Sequence, residues 1–290
     1  MIIVNLIGGL GNQMFQYACG RAVAEHTGQK LKLDITGFKD YKLRKYSLDC
    51  FNISAEFATE KEIKLYKEGR LWFINYFSKK ILKRELIKNK RFIKEKHFHF
   101  DPSILNLKGN CYLFGYWQSE KYFIDIKDII LKEFTLKRPL SQSAKEYENI
   151  ILSSQSVSIH VRRGDYVNNP ITNSYHGVCD ISYYEKAVDI IYKKVENPKF
   201  FIFSDDLSWV KENFKFLKNS LFVELKNAPD YEEMFLMSRC KHNIIANSSF
   251  SWWGAWLNQN PNKIVIAPKE WFKDNSINTN DLIPLSWIRI

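Results

Sequence analysis

Three short clusters in the second half of the chain carry residue types that handle phosphate and nucleoside groups. They are His160-Val161-Arg162-Arg163-Gly164-Asp165, Ser204-Asp205-Asp206 and Asn247-Ser248-Ser249-Phe250-Ser251. A guanidinium such as Arg162 can grip a pyrophosphate through two parallel charge-assisted hydrogen bonds, each worth about 1.5–3 kcal/mol. Serines opening a helix add hydroxyls and free N–H groups at its positive dipole end, which suits phosphate oxygens. Carboxylates at Asp205 or Asp206 can accept hydrogen bonds from a base or ribose. Each cluster alone has a plainer reading: Arg163 can pair with Asp165, and Asp206 and Ser248 can cap helices. Their coincidence at three strand ends is what favours a nucleotide site.

A fourth segment, Gly8-Gly9-Leu10-Gly11-Asn12-Gln13, follows an apolar run and opens a helical pattern. It fails the dinucleotide fingerprint, because Met14 stands where the third glycine belongs and close helix–strand packing of that kind is not coded. No Walker lysine is present. What remains is a tight turn at Gly9 and Gly11 beside two amides, Asn12 and Gln13, that suit sugar hydroxyls. No Asp-x-Asp occurs, and histidines 26, 97, 99, 176 and 242 show no ligand spacing, so neither a metal nor another cofactor is expected.

The elements that must position these residues alternate. Ile2–Ile7 reads as a strand, 12–26 as a helix and Leu31–Asp34 as a second strand; Thr59 to Lys96 reads as helical and basic. In the second half, strands at Val157–Val161, Phe200–Phe203, Leu221–Leu225, Asn243–Ala246 and Ile264–Ala267 are separated by helices. That order predicts parallel sheets, whose ligands lie at the carboxyl ends of strands. Strand alternation puts His160 and Arg162 on one face and turns Arg163 away unless the turn has begun. Ser251 to Leu257 holds three tryptophans at helical spacing and reads as core, with Trp253, Trp256 and Leu257 on one buried face. The fold class is α/β, with two facing Rossmann-like domains at 1–140 and 141–290.

Bulk properties exclude several classes. The 290 residues are 45% hydrophobic and carry a net charge of +11, of which the stretch 79–96 supplies seven. The remainder is nearly balanced, which argues against nucleic acid as partner. Apolar residues alternate with charges in that stretch, so it is either a solvated helix face or a contact with an anionic membrane. No apolar run spans a bilayer, the N-terminus lacks a signal-peptide pattern, and five scattered cysteines predict reduced thiols. A cytoplasmic protein, at the inner face of the membrane if the basic stretch binds there, is expected.

Taken together, Gly8-Gly9-Leu10-Gly11-Asn12-Gln13-Met14-Phe15-Gln16-Tyr17-Ala18, His160-Val161-Arg162-Arg163-Gly164-Asp165, Phe203-Ser204-Asp205-Asp206 and Asn247-Ser248-Ser249-Phe250-Ser251-Trp252-Trp253 resemble the α-1,2-fucosyltransferase family. The match runs in order from residue 1 to about 260 and is similar to its bacterial members. The resemblance implies a GT-B-like architecture with a cleft between the domains, the first on the acceptor side and the second binding GDP-fucose. It implies inverting transfer from GDP-β-L-fucose to the 2-hydroxyl of a terminal galactose, without metal, in synthesis of a surface polysaccharide such as O-antigen. It places Arg162 on the β-phosphate, His160 and an aspartate of Ser204-Asp205-Asp206 near the guanosine, and Ser248 and Ser249 on phosphates. Arg163, Asn247 and Phe250 fall in the same donor-binding motifs. Gly9, Gly11, Asn12 and Gln13 would face the sugars. Arg162 is expected to be catalytic; Asp165 is expected either to act as general base or to orient Arg163. The rival readings are a nucleotide- or polyanion-binding protein without catalysis and, already disfavoured by Met14, an NAD-linked oxidoreductase.

Overall fold

The computed structural model describes residues 1–40, 44–68, 89–164, 167, 174–175, 177–226 and 228–290. The chain divides into two compact units, Met1–Lys137 and Arg138–Ile290.

The first unit is built on β1 (Ile2–Asn5), whose residues are all buried. A strand covered on both faces reads as a continuous apolar run, which is why Ile2-Ile3-Val4 does not alternate. Helix α1 (Leu10–Thr27) follows and stops at Gly28, whose left-handed φ of 61° lets its N–H reach the carbonyls of Ala24 and Glu25. Strands β2 (Leu31–Asp34), β3 (Glu56–Phe57), β4 (Phe92–Lys94) and β5 (Cys111–Phe114) complete a parallel sheet in the order β3-β2-β1-β5-β4. Helix α2 (Glu60–Glu68) and helix α3 (Lys127–Glu133) also belong to this unit.

Two expectations are corrected here. The helix expected from Thr59 to Lys96 is α2 at its start, but Phe92–Lys94 is an edge strand. A short apolar pair among charges satisfies either period, and charged side chains are common on edge strands. Residues 79–88, most of the basic stretch, lie outside the described residues. Close helix–strand packing does occur despite Met14, six residues further along α1. A Cβ on Gly20 would come within 2.1 Å of Val4 Cγ2.

The second unit carries helix α4 (Gln142–Leu152), β6 (Gln155–Val161), α5 (Ile181–Lys194), β7 (Pro198–Ser204), α6 (Leu207–Asn213), β8 (Ser220–Phe222), α7 (Asp230–Arg239), β9 (His242–Ile244), α8 (Ser249–Trp256), β10 (Val265–Ala267) and β11 (Ile288–Arg289). The sheet is parallel in the order β11-β10-β9-β6-β7-β8. Strands β9, β6 and β7 are therefore neighbours, and the three clusters follow their carboxyl ends. Phe200, Phe201, Ile202 and Phe203 are fully buried, as a central strand between helical layers requires.

The tryptophan stripe is core, but its buried face differs from expectation. Trp252, Trp253 and Trp256 are buried, Trp252 Nε1 donates to the Leu282 carbonyl at 2.8 Å, and Leu257 is only half-buried. A helix enclosed on nearly all sides has no single apolar face. All five cysteines are free thiols. Among the described residues no helix is long and apolar enough to cross a membrane.

Candidate active site

Strand β6 ends at Val161, so the turn has begun by Arg162. Alternation no longer separates the two arginines, and each meets a carboxylate from the end of β7. Arg162 Nη1 lies 2.8 Å from Asp205 Oδ2, while the Arg163 backbone N–H donates to Asp205 Oδ1 at 2.9 Å. Arg163 Nε donates to Asp206 Oδ2 at 3.2 Å, and its guanidinium lies 3.7 Å from the centroid of the Trp209 ring. Such a stack adds about 0.5–2 kcal/mol and fixes the plane of the fork. Gly164 closes the cluster: a Cβ there would sit 2.4 Å from Asp205 Oδ2.

Asp205 and Asp206 thus hold arginines. Asp206 also caps α6, its Oδ1 accepting from Trp209 N–H at 3.2 Å, and Ser204 Oγ accepts from Asp206 N–H at 3.0 Å. Adjacent strands, pairing Val161 with Ser204, bring these arginines and carboxylates together.

His160 is buried at 4% exposure, and its carbonyl accepts from Tyr184 OH at 3.1 Å. Burial, helped by the charge of Arg162, pushes its pKa down to about 3, so the ring is neutral. Its Nδ1 is buried without a hydrogen-bond partner. A neutral imidazole offers one donor and one acceptor nitrogen, which fits recognition of a polar ring edge. The ring lies 5.8 Å from that of Phe250, which ties the end of β6 to the start of α8.

Ser248 caps α8, its Oγ accepting from Phe250 N–H at 3.3 Å, and Ser249 is half-buried in the first turn. Asn247 is turned inward: its Nδ2 donates to the carbonyls of Gly177 and Trp271, and its Oδ1 accepts from Cys179 Sγ. Asp165 lies outside the described residues. The cluster so assembled is His160, Arg162, Arg163, Ser204, Asp205, Asp206, Ser248, Ser249 and Phe250.

Two neighbours escaped the sequence reading. Trp209 stands three residues after Asp206 in the first turn of α6, a spacing that places it over the strand end. Glu233 on α7 gives no sequence signal. Burial, reinforced by Asp230 and Asp205, pushes its carboxyl up to about 7.

In the first unit, Gly8 turns the chain after β1 with φ 79°, a conformation that favours glycine. Gly9 caps α1 without a side-chain bond, and its carbonyl accepts from Asn12 and Gln13 N–H. Gly11 is buried in the first turn. Asn12 Oδ1 accepts from Gln118 Nε2 at 2.8 Å. Gln13, expected to meet sugar hydroxyls, is fully buried. Its Nε2 donates to the carbonyls of Gly8 and Lys45, and its Oε1 accepts from Ser47 N–H. It buckles the glycine turn to the segment after β2.

Comparison with known proteins bears on this geometry. The model of glycosyl transferase family 11 matches residues 1–290. The chain is 37% identical to an alpha-1,2-colitosyltransferase of Escherichia coli, over 100% of the chain and 99% of the relative. It is 35% identical to the O-antigen biosynthesis glycosyltransferase WbnK of Escherichia coli, over 98% of the chain and 99% of the relative. It is 26% identical to galactoside alpha-(1,2)-fucosyltransferase 2 of Rattus norvegicus, over 89% of the chain and 67% of the relative. Among solved structures it resembles fucosyltransferase NodZ from Bradyrhizobium, with TM-score 0.51 and 14% identity over 87% of this chain and 91% of that one. It also resembles POFUT1 in complex with GDP, with TM-score 0.52 and 13% identity over 92% of this chain and 97% of that one. Likeness at that identity is one of fold, and it agrees with the GT-B-like class expected from the sequence.

Proposed function

The chain belongs to glycosyl transferase family 11, and we propose that it transfers L-fucose from GDP-β-L-fucose to the 2-hydroxyl of a terminal galactose, with inversion, in the synthesis of a surface polysaccharide. The observation that carries this reading is the pairing of Arg162 and Arg163 with Asp205 and Asp206 beside the start of α8. Two cations are pre-set there, next to N–H groups and hydroxyls, where a departing diphosphate gains charge. The names of the relatives support an α-1,2 linkage and an O-antigen setting, and a fold neighbour solved with GDP-fucose supports the donor class.

In the proposed step the bond between the anomeric carbon and the β-phosphate oxygen breaks, and its electron pair leaves on GDP. The acceptor oxygen attacks the opposite face of the sugar, and its proton passes to a base. Arg162 neutralises the leaving phosphate, Arg163 is held by Asp206 and Trp209 beside it, and His160 reads the nucleoside as a neutral ring. Asp165 stands closest in sequence to the phosphate-binding arginines and is proposed as the base. With no Asp-x-Asp in the chain, arginines and helix N–H groups are proposed to do what a divalent metal does elsewhere.

The 37%-identical colitosyltransferase favours a second donor. Colitose is fucose without its 3-hydroxyl, so one pocket differing by one hydrogen-bonding group would accept either. Thermal shift with GDP, UDP and NAD tests the nucleotide: GDP at about 100 times its Kd should add about 2.7 kcal/mol of stability. Stabilisation by UDP or NAD instead contradicts the reading. GDP binding without GDP release from GDP-fucose plus any galactoside favours a non-catalytic nucleotide-binding protein.

A further inference from the structure

The carboxyl end of the first unit's sheet holds a second constellation. Strands β4, β5 and β1 are neighbours there. Glu95, the residue after β4, reaches over the turn that follows β5. Its Oε2 accepts from Tyr116 N–H at 2.7 Å and its Oε1 from Trp117 N–H at 2.9 Å. Trp117 has φ 55°, a left-handed conformation that a bulky residue adopts only when its surroundings impose it. It is buried at 1% exposure, and its indole N–H has no hydrogen-bond partner. Gly115 leaves no room beside the clamp, since a Cβ there would come within 2.4 Å of Glu95 Cβ.

Strain and an orphaned donor each cost on the order of 1–3 kcal/mol. Here both fall on one residue at a sheet end, and a half-buried carboxylate adds a third cost. Burial raises the Glu95 carboxyl pKa even against its two N–H donors. A turn needed only to connect β5 to the next segment would shed these costs. What the clamp achieves is placement: Gln118 meets Asn12 on the glycine turn at 2.8 Å, and Tyr116 stands out at 41% exposure. The groups so presented are the half-buried Asn12 amide, backed by the buried Gln118 amide, and a phenol ring. Planar amides bond hydroxyls without demanding charge, and an aromatic face covers the apolar side of a sugar ring.

We propose that Asn12 and Tyr116 form a subsite for a neutral sugar of the acceptor glycan, that buried Gln118 orients the Asn12 amide, and that Glu95 is the positioning residue through the Trp117 turn. This rests on the glycosyl-transfer reading above and deepens it. The test measures KM and kcat for a β-galactoside acceptor, and GDP Kd by calorimetry, in wild type, Glu95→Gln and Tyr116→Ala. Glu95→Gln keeps the shape but turns one of the two acceptor oxygens into a donor facing an N–H. Tyr116→Ala keeps the backbone N–H that Glu95 holds, so it stays informative if the first variant misfolds. The expected result is an acceptor KM raised at least tenfold in both folded variants, with GDP Kd unchanged within twofold. Acceptor KM within twofold of wild type in Tyr116→Ala overturns the subsite. GDP Kd shifted by the same factor as acceptor KM overturns it too, because that marks a general structural effect. Wild type that transfers from neither GDP-fucose nor GDP-colitose to any β-galactoside overturns the transfer reading instead. Saturation-transfer NMR of β-galactosides on wild type and Tyr116→Ala then decides the subsite, which falls if the two spectra match.

Discussion

Replacing Gly164 by alanine tests whether the Arg162–Asp205 pair organises the donor site. The new Cβ would lie 2.4 Å from Asp205 Oδ2 and 3.0 Å from its Cγ. Ordinary contact begins at 3.4 Å, so the carboxylate must retreat by about 1 Å. Oδ2 accepts from Arg162 Nη1 at 2.8 Å and Oδ1 from Arg163 N–H at 2.9 Å, so the retreat strains both. It carries the Arg162 contact to about 3.8 Å, past hydrogen-bonding range. One charge-assisted bond is worth about 1.5–3 kcal/mol. The pair is 22% and 28% exposed, and screening puts its worth at the lower end of that range. At about 1.4 kcal/mol per factor of ten, kcat/KM for GDP-fucose should fall about 10- to 30-fold. Steady-state kinetics at saturating acceptor gives this number, and circular dichroism checks the fold. Asp205→Asn in the Gly164→Ala background should add little, because both changes remove the same contact. A folded Gly164→Ala protein with wild-type kcat/KM, or fully additive losses in the double variant, would refute the reasoning.

Three further outcomes concern stability. His160 is held near pKa 3 in the fold, whereas an unfolded histidine titrates near 6.5. The unfolded chain alone takes up that proton between these values, so stability should fall as pH drops from about 6.5, by up to about 1.4 kcal/mol per unit. Urea unfolding of His160→Asn should show a shallower pH dependence in that window; an identical slope contradicts the burial of the ring. Glu233 works in the opposite sense: with its carboxyl near 7 in the fold, stability should fall as pH rises from about 4.5 towards 7. Glu233→Gln should therefore raise Tm at pH 8 more than at pH 4.5, and equal shifts at both would count against it. Gly20→Ala drives a Cβ to within 2.1 Å of Val4 Cγ2. It should cost about 1–3 kcal/mol in chemical unfolding; a neutral result would mean α1 does not lie so close to β1.

Much of the second unit was legible because its strands are uniform in burial. Phe200 to Phe203 is a short apolar run, and Val157 to Val161 sets three β-branched residues alternately with Ser158 and His160, so type and order followed from composition. The edge of the first unit was not. Phe92-Ile93 is two apolar residues among lysines and arginines, and Cys111–Phe114 carries neither a helical nor a strand period. Only pairing with neighbours makes them strands. The site divides in the same way. Residue types and strand-end positions pointed to Arg162, His160 and Ser248. Which oxygen meets which arginine depends on adjacent strands and could not be read along the chain. Gln13 shows the same gap: an amide beside a glycine turn suits a sugar as well as it suits three backbone groups, and burial decided for the backbone. Gly20 supplies the close approach that position 14 denies, because what matters is the glycine's distance from β1 and not its place in a motif.

The most direct measurement is the linkage of the product. The protein is incubated with GDP-fucose, and separately with GDP-colitose, against a panel of β-galactosides, and any product is read by NMR. The expected product carries the deoxysugar in α configuration on O2 of the terminal galactose, and its formation is lost in Arg162→Ala while that variant remains folded. Transfer to another hydroxyl, retention of the donor's β configuration, or near-normal turnover by Arg162→Ala would contradict the central claim.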